Sequence, residues 1–182
     1  RNCAALIIEP VMVTAGVILP NESFLQAARE MTRAFGVLLI ADEVITFRLG
    51  PGGAQQRLGI EPDLTTFGKI IGGGLPIGAV GGSSELLKVL SPGIEKPVAL
   101  SGTFNGNAAA MAAGLATLGL LDSEAYMRLD ELGNRLSSGL RSVIERAGVL
   151  AHITHIGSLV NIHFTAENPV NAGMSWSADS DA

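Results

Sequence analysis

The sequence VLLIADE at residues 37–43 is the clearest indication of how this chain folds. A continuous apolar run that ends in two acids is typical of a strand buried on both faces of a parallel sheet. Shorter apolar runs at residues 5–8, 64–67 and 77–80 predict further strands, and residues 160–164 predict a last one.

Four predicted helices alternate with these strands, over residues 22–35, 83–90, 107–121 and 123–147. Apolar side chains at helical spacing form a stripe on the first and the last of them. These stripes consist of Phe24, Ala28, Met31, Phe35, Leu129, Leu132, Leu136, Leu140 and Val143. The third helix is so rich in alanine that we expect another segment to pack closely on it. Alternating strands and helices predict a layered α/β fold.

The composition excludes several classes of protein. The chain has 182 residues, about one domain's length, and with 47% hydrophobic and 16% charged residues it is not intrinsically disordered. A net charge of −5 without a basic stripe argues against a nucleic-acid partner. The apolar runs are too short to span a membrane, so no membrane partner is expected. The single cysteine, Cys3, excludes a disulfide framework and fits a reducing compartment such as the cytoplasm.

Two acids, Asp42 and Glu43, follow the central predicted strand, and ligand sites of open α/β sheets lie at such strand ends. An acid here is costly to bury alone, so a helix cap or a structural ion pair is one interpretation. The alternative is the metal site of a nucleotide hydrolase, in which four apolar residues precede Asp-Glu. That alternative needs a phosphate-binding P-loop, and the chain contains no matching motif.

Lys69 is a second candidate functional residue. It follows the strand predicted at residues 64–67 and precedes three glycines, residues 72–74, in an otherwise apolar stretch. A desolvated lysine is suited to Schiff-base chemistry, and the glycines would let a flat ligand or another backbone come close. The alternative is a lysine whose amine reaches solvent beside a glycine turn. This stretch alone does not distinguish the two.

Residues 101–107, with the sequence SGTFNGN, are the third candidate segment. Small hydroxyl and amide side chains before an alanine-rich helix suit an anion bound at the helix N-terminus. An ordinary serine or asparagine helix cap is the alternative interpretation.

Together these segments resemble the class III pyridoxal-phosphate-dependent aminotransferases of fold type I. The matching motifs are Glu9-Pro10, DEVITFR at residues 42–48, PDLTTFGKIIGGGLPIGA at 62–79 and GTFNGN at 102–107. The resemblance covers residues 6–121 and continues more loosely to Phe164. The glutamate-1-semialdehyde 2,1-aminomutase branch is most similar, and aminotransferases of that branch that act on β-amino acids are equally similar.

The resemblance implies a fold, a cofactor and roles for four residues. The fold would be the three-layer large domain of the family, with helices on both faces of a mostly parallel sheet, and the cofactor would be pyridoxal 5′-phosphate. Lys69 would hold the cofactor as an internal aldimine and then act as general acid/base. Asp42 would pair with the protonated ring nitrogen, and Val44, on the same side of the strand, would pack on the ring. Thr103 would bind the cofactor phosphate of a neighbouring subunit, which implies a homodimer.

Two departures from the family pattern bear on the reaction. Aminomutase-like members usually carry a glycine between the Thr and Phe of the 42–48 segment, whereas Thr46 and Phe47 are adjacent here. We therefore predict transfer of an amino group between a small-molecule amino donor, with β-amino acids among the candidate donors, and an oxo acid or aldehyde. The intramolecular aminomutase reaction is the alternative. Many ω-amino-acid members carry a second glutamate where this chain has Thr14, so Glu9 is assigned a structural role.

Residues 1–122 are predicted to form the C-terminal part of the cofactor-binding large domain. Residues 123–182 would form a connecting helix and the start of a small C-terminal domain. The chain begins without methionine just before a buried strand and ends in a small, polar stretch, so we expect an internal fragment. The family's phosphate loop and ring-stacking aromatic residue would lie upstream, as would a substrate-carboxylate arginine in aminomutase-like members. The isolated chain is therefore expected to bind cofactor poorly.

The remaining polar residues of interest are assigned structural roles. His152, His155 and His163 are not spaced with carboxylates in the way a metal site needs, so no metal site is predicted. Arg48 is expected to form a structural ion pair rather than contact a substrate carboxylate. Cys3 is expected to be a buried, inert thiol. A non-catalytic binding or assembly domain is a further interpretation of the whole chain.

Overall fold

The computed structural model describes residues 3–21 and 23–177, and a four-stranded sheet is its central feature. The strands lie in the order β1 (Ala5–Ile8), β2 (Leu38–Asp42), β3 (Leu64–Gly68) and β4 (Gly78–Gly82). The first three are parallel, and β4 runs antiparallel to β3. The predicted α/β class with a mostly parallel sheet is therefore confirmed.

The helices and a second, smaller sheet complete the described part of the chain. The helices are α1 (Phe24–Phe35), α2 (Gly53–Arg57), α3 (Ser84–Leu87), α4 (Ala108–Leu120), α5 (Ser123–Ala147) and α6 (Ala172–Trp176). Strands β5 (His152–Ile156) and β6 (Leu159–His163) form an antiparallel hairpin that packs on α5. Sequence analysis predicted neither β5 nor the short helices α2 and α6. Within the described ranges, every helix is too short or too polar to cross a membrane.

The long helices α4 and α5 are capped by polar side chains and begin close to the predicted residues. Asn107 Oδ1 accepts a hydrogen bond from the Ala110 amide at 3.0 Å, which caps α4. The cap of α5 is Asp122, whose Oδ1 accepts from the Ala125 amide at 2.8 Å, and Ser123 is already helical. The carboxylate is also well placed for the helix dipole.

The apolar stripes predicted for α1 and α5 are not the buried faces of these helices. Phe24 and Met31 are 51% and 60% exposed, and the buried apolar residue of α1 is Leu25, which packs with Leu39. In α5 the buried residues are Gly133 and Ser137. A side chain at Gly133 would collide with the carbonyl oxygen of the hairpin turn, so this helix packs through its smallest residues.

The edge position of β1 explains why Cys3 is not buried, contrary to the expectation of the sequence analysis. Within the described residues β1 pairs only with β2, and its first three residues are exposed. Cys3 lies next to this edge and is exposed, with its Sγ donating to the Ala5 carbonyl at 3.4 Å. The expectation of a buried thiol was therefore wrong.

Glu9 stabilises the turn that follows β1. Its Oε2 accepts from the Val13 amide at 3.0 Å, and its Oε1 accepts from the Thr14 hydroxyl at 2.8 Å. The turn places Val11 and Val17 in a core with residues of the loop after β2 and of the hairpin. Glu9 thus has the structural role assigned to it.

An ion pair joins α1 to the start of β3. Arg29 Nη1 and Nη2 donate to the two carboxylate oxygens of Asp63 at 2.6 and 2.9 Å, and the Leu39 amide donates to the same carboxylate at 2.7 Å. These hydrogen bonds, that from Arg29 above all, hold the pKa of Asp63 below its usual value. The pair is largely buried, with side chains 14% and 24% exposed, so solvent screens it only in part.

We expect Arg29→Met to lower the free energy of unfolding near neutral pH by about 2 kcal/mol. Because the folded-state pKa of Asp63 is lowered, the contribution of the pair is complete above the unfolded pKa and is lost as pH falls through the folded one. Urea unfolding from about pH 7 to about pH 2 should show the two proteins converging at the acid end. Arg33→Met is the matched control, because Arg33 and its partner Glu61 are 59% and 85% exposed. An equal loss in both variants would contradict this account.

Candidate active site

Two predicted site residues lie at the same edge of the large sheet. Because β2 and β3 are parallel, their carboxyl ends meet there. Asp42 is the last residue of β2, and Lys69 comes directly after the last residue of β3. Asp42 is paired in register with Thr66, three residues before the lysine.

The Asp42 carboxylate is held through one of its two oxygens. Oδ1 accepts from the Val44 amide and from the Thr66 hydroxyl, both at 3.1 Å. Among the described residues none donates to Oδ2, which is left to accept a hydrogen bond from a ligand. Sequence analysis did not single out Thr66. The signal that could have identified Thr66 is a polar side chain on the strand next to the one that ends in Asp42.

Val44 lies beside the end of β3. A Cβ atom at Gly68 would be 3.2 Å from Val44 Cγ1, so the valine side chain occupies the space next to the residue that precedes Lys69. The sequence analysis placed Val44 on the same side of the strand as Asp42. That prediction was wrong, because Val44 is not part of a strand. The strand ends at Asp42, whose carboxylate accepts from the Val44 amide and turns the chain.

The Glu43 side chain is 0% exposed. Both of its carboxylate oxygens accept hydrogen bonds from within the chain. Its Oε2 accepts from the Thr46 hydroxyl at 2.5 Å and from the Ala54 amide at 3.0 Å, and its Oε1 accepts from the Gln55 amide at 2.6 Å. The carboxylate therefore joins the end of β2 to the first turn of α2. A metal-bound water cannot reach it, which removes the basis for the nucleotide-hydrolase alternative.

We expect Glu43→Gln to lower the free energy of unfolding by about 3 kcal/mol. The amide group of glutamine would place an N–H donor against a backbone N–H donor, that of Gln55 or that of Ala54, in either orientation. Chemical denaturation is the measurement, with Glu61→Gln as control because that side chain is 85% exposed. A loss below about 0.5 kcal/mol in Glu43→Gln would show that the carboxylate charge is not needed.

Lys69 has a strained backbone and an accessible side chain. Its φ is 49°, in the left-handed region where a side chain costs about 1–2 kcal/mol. Such strain is concentrated at functional sites. The side chain is exposed and makes no hydrogen bond or ion pair within the described residues. The buried lysine that one interpretation of the sequence required is thus absent from this structure.

A groove of about 680 Å³ adjoins Lys69. One wall is the loop after β2, which contributes Ile45 and Arg48. The other wall is the segment between Lys69 and β4. Its lining residues are Ile70, Gly74, Leu75, Pro76 and Ile77. The groove is thus mostly apolar, with two positive charges.

The turn that carries Lys69 is docked on α4. Residues Lys69–Gly72 form a single 3₁₀ turn. A side chain at Gly114 would collide with the carbonyl of Ile71, and one at Gly73 would collide with the carbonyl of Ala113. The alanine-rich helix thus has the close neighbour predicted for it, and two glycines allow the approach.

Arg48 does not form the structural ion pair that was expected. Its Nε donates to the Ser158 hydroxyl at 3.0 Å. Within residues 3–21 and 23–177 it has no acidic partner. Ser158 lies in the hairpin turn, far away in sequence, which is why the sequence could not predict this contact.

Thr103 lies apart from these residues. It is exposed in the turn before α4 and does not line the groove beside Lys69. The three histidines are also elsewhere, at the hairpin. His163, 2% exposed, lies within hydrogen-bond distance of the Gly16 carbonyl and of Thr154, at 2.9 Å in both cases. In the described ranges no group of three or more metal-ligating side chains is assembled.

Comparison with known proteins identifies the family. The family model of class-III aminotransferases matches residues 1–179. Over 182 residues the chain is 46% identical to glutamate-1-semialdehyde 2,1-aminomutase of Persephonella marina, a match that covers 99% of this chain and 42% of that protein. The chain thus spans about two fifths of the length of that curated relative.

Solved structures of similar proteins have the same fold as this chain. An ω-transaminase from Sphaerobacter thermophilus superposes with a TM-score of 0.87 at 43% identity, covering 97% of this chain and 40% of that one. A β-phenylalanine aminotransferase from Variovorax paradoxus gives 0.87 at 40% identity, covering 97% and 41%. A glutamate-1-semialdehyde aminomutase from Pseudomonas aeruginosa in complex with PMP gives 0.84 at 32% identity, covering 97% and 41%.

The chain belongs to the class-III aminotransferase family, whose members use pyridoxal 5′-phosphate. The resemblance seen in the sequence motifs and the fold it implied are therefore confirmed.

Proposed function

We propose that this chain provides the lysine and the aspartate of an enzyme that transfers an amino group between an amino acid and an oxo acid or aldehyde. The observation that carries the proposal is the position of Asp42 and Lys69 at the carboxyl ends of two neighbouring parallel strands. The aspartate has one oxygen held by the chain and one available to a ligand. The lysine has no partner among the described residues.

The residues at this edge fit pyridoxal 5′-phosphate. Asp42 Oδ2 can accept a hydrogen bond from a protonated ring nitrogen, while the Val44 amide and the Thr66 hydroxyl keep Oδ1 in place. The Val44 side chain, beside Gly68, offers an apolar surface to a flat ring. When bound, the cofactor supplies an electron-poor ring that stabilises negative charge on the reacting carbon.

Lys69 would bind the cofactor through its Nζ and later move the proton of the substrate. Its position next to an apolar groove lets a substrate approach the amine directly. The turn that carries Lys69 packs closely on α4, which would hold the backbone of this residue in place. Asp42 would accept the hydrogen bond of the protonated ring nitrogen.

Thr103 is proposed to bind the cofactor phosphate of a second copy of the chain, so that two sites are shared in a homodimer. Thr103 is exposed and outside the groove of its own chain, which supports a role toward a partner. Met111 and Leu115, on the helix that follows it, are 52% and 77% exposed.

The exposed free thiol of Cys3 supports a reducing location, and we propose the cytoplasm.

The intramolecular aminomutase reaction is the second candidate, and the 46% identity to the Persephonella marina aminomutase favours it. The adjacency of Thr46 and Phe47 favours the intermolecular reaction. The Sphaerobacter thermophilus transaminase also exceeds the Pseudomonas aeruginosa aminomutase in identity, 43% against 32%.

Two measurements test the proposal and separate the candidates. Because the chain spans about two fifths of its relatives and is expected to bind cofactor poorly on its own, a longer protein that contains it is incubated with pyridoxal 5′-phosphate and reduced with borohydride, and the labelled peptide is mapped. Label confined to Lys69, and absent from Lys88 and Lys96, is the expected result, and label spread over all three would contradict it. Turnover is then measured with an amino donor, with and without an oxo acid. Turnover only with the oxo acid supports the intermolecular reaction, whereas conversion of glutamate-1-semialdehyde alone supports the aminomutase.

A further inference from the structure

We propose that Gln55 is a positioning residue, which holds the ends of β2 and β3 in register so that Asp42 and Lys69 can act on one ligand. This inference rests on the proposed function, because it concerns how that same site is aligned. Gln55 lies in α2 and does not line the groove beside Lys69. Its hydrogen bonds instead join the two strands from behind the site.

Two hydrogen bonds connect Gln55 to both strands. Its backbone amide donates to Glu43 Oε1 at 2.6 Å, and Glu43 directly follows the last residue of β2. Its side-chain Oε1 accepts from the Thr65 hydroxyl at 3.1 Å, and Thr65 lies within β3. Glu43 and Thr65 are 0% and 7% exposed, so water does not compete for these bonds. Gln55 therefore bridges the two strands through buried groups.

The bridge lies on the opposite face of the sheet from the Asp42 carboxylate. Thr65 and Thr66 are consecutive residues of one strand, so their side chains point to opposite faces. The Thr66 hydroxyl donates to Asp42 Oδ1 on one face, whereas the Thr65 hydroxyl donates to Gln55 on the other. The two strands are thus fastened to each other on both faces, which restricts sliding of one against the other.

The register of these strands determines where Asp42 lies relative to Lys69. Asp42 is paired with Thr66, and Lys69 follows Thr66 by three residues. The Glu43 amide donates to the Thr66 carbonyl at 3.0 Å, which extends the pairing just beyond the end of β2. Loss of the Gln55 bridge would loosen this terminal pairing, and groups that bind one ligand tolerate only small displacements from each other.

The test compares pyridoxal 5′-phosphate with its 1-deaza analogue, in which a C–H group replaces the ring nitrogen. Fluorescence titration of a longer protein that contains this chain gives both dissociation constants. Gln55→Leu removes the acceptor of the Thr65 hydroxyl and should weaken the binding of pyridoxal 5′-phosphate about 10-fold. The binding of the analogue should be unchanged, because it has no ring nitrogen for Asp42 to hold. A merely structural role would lower both affinities equally.

Two further variants separate the bridge from other effects of the substitution. Thr65→Val removes the hydroxyl that donates to Gln55, so it should weaken binding to the same extent, and the double variant should bind no more weakly than either single one. Gln56→Leu is the matched control. Gln56 Oε1 accepts from the Gly52 amide at 3.0 Å, so this variant also loses one hydrogen bond, but none to a strand. It should leave both dissociation constants unchanged.

Hydrogen exchange gives a readout that needs no cofactor. The Glu43 amide, which donates to the Thr66 carbonyl, should exchange about 10-fold faster in Gln55→Leu than in the wild type or in Gln56→Leu. Unchanged exchange in Gln55→Leu would overturn the proposal, as would equal losses of affinity for the two compounds. If the wild type bound both compounds equally, the proposed pairing of Asp42 would fail, whereas faster exchange would still support Gln55 as the residue that aligns the strands.

Discussion

Lys69→Ala is expected to lower kcat for amino transfer by at least about 10³-fold, because it removes the amine that we propose binds the cofactor and moves the substrate proton. The variant should stay folded. Alanine has the same Cβ as lysine, so the strain at φ 49° is unchanged, and the exposed side chain makes no contact within the described residues that would be lost. Steady-state kinetics on the longer, cofactor-loaded protein, together with the visible absorbance of bound cofactor, measures the effect.

Lys88→Ala is the matched control, since Lys88 is also exposed but lies outside the groove. Wild-type activity is expected for it. Small primary amines added to Lys69→Ala should restore part of the rate, because they can take over the proton transfer. If Lys69→Ala kept more than a tenth of the wild-type activity, the lysine would not be the reacting amine.

Asp42→Asn is expected to lower kcat/KM by about 10²- to 10³-fold. The amide oxygen of asparagine can still accept from the Val44 amide and the Thr66 hydroxyl, so the local structure is kept. The group that replaces Oδ2 is then an N–H donor, which cannot hold a protonated ring nitrogen. The affinity for cofactor should fall as well, and fluorescence titration with pyridoxal 5′-phosphate measures it.

Thr66→Val separates the charge of Asp42 from its orientation. It removes one hydrogen bond to Oδ1 and leaves the carboxylate in place. We expect a smaller loss, about 10-fold, because the Val44 amide still holds the same oxygen. Should Asp42→Asn and Thr66→Val lower kcat/KM equally, the carboxylate would act through its position alone.

The elements with strong local signals were predictable from the sequence. β1 spans the predicted residues, and β2 and α5 differ from their predicted ranges by at most one residue at each end. Continuous apolar runs and polar caps are local features, so one sequence contains them. The buried faces of α1 and α5 were not predictable, because they depend on which neighbouring segment packs against each helix. Gly133 and Ser137 of α5 illustrate this.

The candidate site also has some features that the sequence predicts and others that it does not. Asp42 and Lys69 follow apolar strands, so their arrival at one edge of the sheet follows from parallel topology. The contact between Arg48 and Ser158 joins residues 110 positions apart, and the amides that bind Glu43 lie 11 and 12 positions away. Contacts of this kind depend on tertiary packing and have no periodic signature. Thr103 stays a prediction that only a complex of two chains can test.

The docking of the Lys69 turn on α4 has a consequence for engineering the enzyme toward bulkier substrates. Gly73 and Gly114 have no space for a larger side chain, because each meets a backbone carbonyl that cannot move alone. Libraries that randomise these two positions would yield mostly misfolded clones. Leu75 is 40% exposed and Ile45 forms the facing wall, so shortening these two side chains enlarges the groove without shifting the lysine.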